Sequence, residues 1–465
     1  MPQEPPTPLE ETGLLIRPST GLVRLPDGGS PVLSEIIRRS LAHIQTSKAL
    51  GVLHRIGEHE LYWPDYQLVC NWAEELRLGP ECVMELLLKK DENADSTEWQ
   101  TRVVGGRFVN LRVGQKLQGI AGIPSIEGLV IERLDIGWAQ FRSLDLALLP
   151  NLTHLDCGWN QLVELDLSAV PCLVVLNCWR NHLTELVLSS VPNLTELHCD
   201  QNELPGLDLS GVPNLAFLSC EYNELTELDL SGVPNLTELN CDHNRLTGLD
   251  LSGVLNLTGL HCDENQLTKL CLPEAPNLTE LRCHHNRLTG LDLSGVPNLT
   301  TLFCGWNQLT GLDLSEVPNL TILCCYINRL TGLDLSGVPF LAFLSCGSNQ
   351  LTGLDLSGVP NLTGLHCDQN ELPGLDLSGV PNLTELCCEH NHLTELDLSG
   401  VPNLTELRCH HNRLTGLDLS GVPNLTTLLC YINQLHGLDI RNLRNLRSFI
   451  YDPGTRLIQR PDQNF

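Results

Sequence analysis

The sequence is short of cations, aromatic rings and methionine, and it has no long apolar run. Its 28 Lys and Arg stand against 56 Asp and Glu, a formal charge of −28 over 465 residues. Phosphate backbones are gripped by Lys and Arg, so a chain this acidic is not expected to bind nucleic acid. The same charge argues against docking on an anionic membrane. No apolar stretch reaches the ~18 residues of a spanning helix. The start, Met1-Pro2-Gln3-Glu4-Pro5-Pro6, lacks the basic and apolar segments of a secretory leader. The expected location is therefore the cytoplasm, with export by a non-classical route left open. There the 20 Cys are expected as thiols. Aromatics make up 5% of the chain and Met only 2 residues, against 42% hydrophobic content, so the core must be aliphatic. Phosphate-binding Gly loops, H-E-x-x-H, G-x-S-x-G and C-x-x-C pairs are all missing. The chain is read as a non-enzyme, with no cofactor and no metal assigned.

What the sequence has is a repeat. Cys157, Cys178, Cys199, Cys220, Cys241, Cys262, Cys283, Cys304, Cys325, Cys346, Cys367, Cys388, Cys409 and Cys430 follow one another at steps of 21 residues. An Asn stands three residues after each, from Asn160 to Asn433. Leu236 to Asn256, LTELNCDHNRLTGLDLSGVLN, typifies the period. Leu239-x-Cys241 alternates and predicts a short strand; Leu249-x-Leu251 predicts a second extended piece. Asn244 falls where the chain turns inward, and a buried amide there can donate and accept at once. Each Asp of Asp-Leu-Ser-Gly is expected to hold its own backbone in an Asx turn. The recurrent Asn-Leu-Thr triplets are glycosylation sequons in form only, a by-product of the template. One coil cannot bury its Leu row alone, whereas a stack can.

The pattern L-x-x-L-x-C-x-x-N-x-L-x-x-L-D-L-S resembles the leucine-rich repeat, and more narrowly the 21-residue cysteine-ladder type of internalin-J-like bacterial proteins. The resemblance spans about residues 131–451. It implies an α/β solenoid, a right-handed superhelix with a parallel concave β-sheet that binds a protein or peptide partner. The predicted organisation is a disordered tail at 1–30, a helical module at 31–92 and a linker and β cap at 93–130. Fourteen regular coils with degenerate end coils follow at 131–451, and a tail at 452–465. Ladder thiols are expected in the core as small hydrophobes. Cys324 and Cys387, each preceding a ladder Cys, are expected to face solvent.

Function in such a repeat belongs to the positions that vary. Asp200, Glu221, Asp242 and Asp263 form an acidic run one residue after the ladder Cys. Arg282, His284, His285 and Arg287 form a basic island, repeated as Arg408, His410, His411 and Arg413. Between the islands Phe303, Trp306, Ile322, Tyr326, Ile327 and Phe343 occupy outward positions of three consecutive coils. Aromatic anchors flanked by charge are the composition of a protein-binding hot spot. His261, His284 and His285 form a histidine group that predicts affinity changing between pH 5 and 7. Arg282 beside them opposes a bound cation.

Residues 1–130 carry 13 basic and 17 acidic residues, so the repeats hold most of the negative charge. Apolar spacing predicts one or two amphipathic helices over 32–56, a helix from Pro64 to Leu78 and another from Pro80 to Lys90. Residues Trp72 to Leu87 loosely resemble a bacterial helix-turn-helix. The primary expectation is an adaptor or scaffold. The alternatives are a regulator whose residues 64–90 touch DNA, and an exported effector or surface binder.

Overall fold

The computed structural model describes residues 15–17, 22–24, 53–56, 59–76, 80–88, 102–104, 107–112 and 131–463, apart from 148, 273, 274 and 462. The chain divides into two compact units, Met1–Leu204 and Pro205–Phe465. In both, each 21-residue block is one coil with a three-residue strand just before the ladder position.

In the first unit Arg133–Asp135, His154–Asp156, Val175–Asn177 and Glu196–His198 pair in parallel. In the second, the strands from Phe217–Ser219 to Ser448–Ile450 do the same, each residue of the cysteine coils opposite the residue 21 further on, as Leu281 is opposite Leu302. The fixed period puts Leu over Leu and Cys over Cys, and every ladder Cys is fully buried. The cysteines described are free thiols. Burial among Leu side chains pushes the Cys283 and Cys304 thiols far above the ordinary range. They pack as small hydrophobes, as expected.

The strand ends because the second residue after each ladder Cys is left-handed, with φ 50° at His285, 51° at Trp306 and 50° at Ile327. The next residue, the repeated Asn, then points inward. Asn307 Nδ2 donates to the carbonyls of Cys283 (2.8 Å), Cys304 (3.2 Å) and Gly305 (3.1 Å). Its Oδ1 accepts the Leu288 N–H at 2.9 Å. The side chain thus bonds its own coil and the one before it. Asn286, Asn328 and Asn349 repeat the pattern.

A second Asn column lies outside. Asn298 Nδ2 reaches the Pro276 carbonyl (2.7 Å) and Asn235 the Pro213 carbonyl (3.1 Å), one coil back. The Thr two residues on does likewise: Thr300 Oγ1 bonds the Thr279 carbonyl at 3.0 Å. The Asn-Leu-Thr triplet is therefore two inter-coil hydrogen bonds around one core leucine. The Asx turns are also present, with the Ser294 N–H on Asp292 Oδ1 (3.0 Å) and the Ser336 N–H on Asp334 Oδ1 (2.9 Å). These bonds hold the Asp292 and Asp334 carboxyls below their ordinary range. The second predicted strand is largely absent. Among the described residues it is regular only at Gly248–Asp250 with Lys269–Cys271 and at Gly437–Asp439 with Arg456–Ile458.

That last pair revises the tail expected at 452–465. Leu457 sits opposite Leu438, and Gln463 Nε2 bonds the carbonyls of Ile440 and Leu443, both at 3.0 Å. Asp452 accepts the N–H groups of Ile432 (2.7 Å) and Asn433 (3.0 Å). The segment carries its own backbone acceptors and donors to the final coil, which is why it is ordered.

In the N-terminal region two helices fall near their predicted places: α1 at Trp63–Leu76 and α2 at Pro80–Leu88. Trp72 of α1 and Met84 of α2 are buried. Proline opens each helix, where its missing N–H costs nothing. Two expectations change. Leu53–Ile56 is not helical but a strand antiparallel to His59–Tyr62. Leu15–Arg17 pairs with Leu22–Arg24 inside the stretch expected as a loose tail, because aliphatic residues flank Ser19-Thr20-Gly21 there. The remainder of the helix expected over 32–56 lies outside the described residues. Arg107–Arg112 pairs antiparallel with Arg102–Val104 and parallel with Arg133–Asp135, as the predicted β lead-in to the first coil.

Asn307→Ala is expected to lower unfolding stability by ~1–3 kcal/mol, because it strands the buried Leu288 N–H and the carbonyls it served. Chemical denaturation monitored by circular dichroism measures this. The exposed Thr310→Ala in the same coil should leave the midpoint in place.

Candidate protein-binding surface

The outward face of the second unit carries the aromatic residues singled out in the sequence. They form two tiers. Phe303, Ile322, Tyr326, Ile327 and Phe343 are half-buried, while Trp306 is 45% exposed. The rings lie partly across the sheet. The His284 ring is 5.3 Å from Phe303 and 5.5 Å from Tyr326, centroid to centroid. Gly305 makes room for this: a Cβ there would stand 2.9 Å from both His284 Nδ1 and Tyr326 Cε1. Gly364 does the same for Phe343, whose ring meets His366 edge-on at 5.2 Å. Above this layer Trp306 projects, stacked on His285 at 4.6 Å.

The projecting tier belongs to the column two residues after each Cys, read from the sequence as outward; its left-handed backbone was not foreseen. In the first unit Trp138 stacks on Trp159 at 3.5 Å, and the Arg180 guanidinium lies 3.1 Å from the Trp159 ring centroid. In the second unit Tyr222 stacks on His243 (3.9 Å) and His390 on His411 (4.0 Å). All of these residues have positive φ. A left-handed residue aims its side chain away from the strand, and the 21-residue period aligns flat groups face to face. Ile327 and Ile432 hold this conformation as β-branched residues, at a cost of ~1–3 kcal/mol each. The signal was in the sequence: planar side chains recur two residues after Cys, where Gly or Asn would strain the backbone least.

The acidic run is shared between the two units. Asp200 lies in the first unit and is buried. Glu221, Asp242 and Asp263 lie in the second and are half-buried. Asp242 Oδ1 accepts the Asp263 N–H at 2.6 Å, and Asp263 Oδ1 accepts the His284 N–H at 2.5 Å. Burial, with the Asp242 charge second, pushes Asp263 up to about 7 against the pull of Arg282. Asp242 is raised too, chiefly by burial.

The basic islands are less basic than their composition. Arg282 Nε bonds Glu280 Oε1 at 2.6 Å, and Arg408 bonds Glu406 at 2.6 Å. His284 and His410 are pushed down to about 4 by burial, with neighbouring cations adding to it. Neither changes charge between pH 5 and 7, so the expected titration does not rest on these two. The islands also differ. His285 is exposed, whereas His411 is half-buried, and His410 is buried with its ring stacked at 4.5 Å on Tyr431. Cys324 and Cys387, expected to face solvent, are 7% and 5% exposed. The strand register sets Phe303 and Ser345 opposite the first, and His366 and Arg408 opposite the second.

Asp263 generates a prediction. Its folded pKa lies above the unfolded value of ~3.9, so the native state holds its proton more tightly. The stabilisation is complete at low pH and is lost as pH rises through about 7. Asp263→Asn keeps the acceptor for His284 and carries no charge. Melting curves should show the variant more stable than the parent at pH 8 and equal to it near pH 4.

The descriptions "Leucine Rich repeats (2 copies)" and "Leucine Rich Repeat" match residues 381–421 and residues 235–257 and 277–299 respectively. Among curated proteins no sequence matches. Among solved structures, the functional domain of InlJ from Listeria monocytogenes, which includes a cysteine ladder, is 38% identical. The match covers 64% of this chain and 67% of that one, with a TM-score of 0.63. A leucine-rich-repeat protein of Leptospira interrogans is 25% identical over 70% of this chain and 91% of its own, with a TM-score of 0.62. The plant peptide hormone receptor RGFR1, solved in complex with RGF2, matches at 24% identity and a TM-score of 0.60, over 72% of this chain and 59% of that one. With its buried cysteine file, parallel three-residue strands and 21-residue coils, the chain belongs to the leucine-rich-repeat family, in the cysteine-ladder form that InlJ shares.

Proposed function

We propose that this chain is a non-enzymatic adaptor or scaffold that holds a protein or peptide partner on the concave face of its sheet, at the surface around Trp306. The observation that carries the reading is the two-tier arrangement itself. Trp306 is a large apolar ring, 45% exposed, held in a left-handed conformation and stacked on His285. Beneath it Phe303, Tyr326 and Phe343 offer half-buried apolar floor. A rigid aromatic anchor costs little entropy to immobilise, and a preformed floor costs none, so both favour affinity. Arg282 and His284 border the patch on one side, and Asp242 and Asp263 continue it. The leucine-rich-repeat fold is a protein-binding repeat, and a plant receptor of this fold is solved with its hormone RGF2, which agrees with a peptide or protein ligand here.

The reading places the protein in a reducing compartment. The free thiols fit this, including the exposed Cys172. No helix among the described residues is long and apolar enough to cross a membrane.

Two measurements test these statements. Trp306→Ala combined with Tyr326→Ala should abolish capture of the partners recovered by affinity purification and mass spectrometry, with circular dichroism unchanged. Undiminished capture would move the surface elsewhere. Alkylation of the denatured protein should count all 20 cysteines as thiols; a large shortfall contradicts the reducing compartment and favours the exported reading.

A further inference from the structure

We propose that His366, Glu385 and Cys387 form a binding site for a borderline divalent cation such as zinc, with the Glu389 carboxylate beside it. The inference stands apart from the Trp306 surface and holds whether or not a partner binds there.

The three side chains come from two neighbouring strands, Gly364–His366 and Glu385–Cys387, paired so that His366 is opposite Cys387 and Gly364 opposite Glu385. Gly364 supplies no side chain, and the Phe343 ring lies over it on the side away from Glu385. One ligand atom from each residue lies within 4.8 Å of the others, and His366 Nε2 is 2.9 Å from Glu385 Oε1. Zinc bonds of ~2.0–2.3 Å to N, O and S would set the ligand atoms ~3.3–3.7 Å apart. Small side-chain rotations close that difference, since all three sit on one rigid face. Cys387 is buried, whereas His366 and Glu385 are half-exposed, so the cluster opens toward solvent on one side. Imidazole, carboxylate and thiolate together suit zinc better than calcium or magnesium, which prefer oxygen alone.

The same geometry occurs elsewhere with its cation built in. His261 Nε2 lies 3.3 Å from Glu280 Oε1 of the next coil, repeating the pair His366 and Glu385. There the position of Cys387 is taken by Arg282, whose Nε bonds Glu280 Oε1 at 2.6 Å. At His366 the chain places a thiol where Arg282 would be. Arg408, opposite Cys387 on the following strand, bonds Glu406 at 2.6 Å. Glu389 sharpens the deficit. Its Oε2 is buried with no hydrogen-bond partner. A metal ion would take the place that the Arg282 guanidinium holds beside Glu280. The cluster escaped the sequence reading because its ligands are 19 and 21 residues apart and on different coils, a spacing that no local metal motif has.

Cobalt(II), added to the full chain under reducing conditions, is the probe. The parent protein should develop a thiolate-to-cobalt charge-transfer band that saturates at one equivalent and is displaced by zinc. Cys387→Ser should abolish the band. Cys387→Arg should abolish it too while keeping the native circular dichroism, because it reproduces the Arg282 arrangement. His366→Gln should weaken cobalt binding ~10-fold or more. Absence of the band in the parent overturns the site. Its persistence in Cys387→Ser, through another thiol, overturns it equally, as does unchanged affinity in His366→Gln.

Discussion

The side-chain amide of the repeated asparagine is the constraint on which the rest of the structure depends. Each coil leaves the sheet after three strand residues, and its backbone groups then enter the interior with no ladder to satisfy them. Asn307 answers four of these at once, from two coils. At a net ~0.5–1.5 kcal/mol per bond the gain is modest. The larger effect is the penalty for its loss, since the same groups have no water to turn to. An amide that bonds carbonyls of two consecutive coils also fixes their spacing, so a coil one residue longer or shorter could not use it. The 21-residue period is in this sense a hydrogen-bonding length.

Once the period is fixed, every column becomes a file, and each file takes a different physical role. Leucine and cysteine fill the interior. The Asx turn, the outer asparagine and the Thr hydroxyl bind the backbone of the coil edges. The residue just before the inward asparagine is left-handed, and its side chain meets its counterpart one coil on. Flat groups stack there, as Tyr222 on His243 and His285 on Trp306. The strained backbone at these positions is tolerated because the asparagine beside it over-determines the turn. The chain thereby displays rings and charges at fixed spacing on a surface whose interior does not change, which is a sound basis for recognition.

Much of this was legible in the sequence. The strand positions, the buried thiols, the inward asparagine and the Asx turns each follow from a residue type at a fixed place in the period. The cap made by Asp452 and Gln463 was not, because each acts through side-chain bonds that no repeat announces. At the surface, residue positions were readable but environments were not. His284 and Asp263 were correctly read as outward, yet their charge depends on what lies over them. Burial holds His284 down, and burial with the Asp242 charge second raises Asp263. Cys324 failed for the same reason: pointing away from a core is not exposure when Phe303 lies opposite. Local spacing states direction, whereas burial is a property of two or three coils together.

The central claim is that the inward asparagine amide bonds neighbouring coils throughout the repeat. Native-state amide hydrogen exchange reads this directly at Leu288, Leu309 and Leu330, whose N–H groups donate to Asn307, Asn328 and Asn349. The account predicts that these three amides are protected as strongly as the inter-strand amide of Cys283, which donates to Phe303. Exchange at the rate of an unprotected turn at those leucines would contradict it.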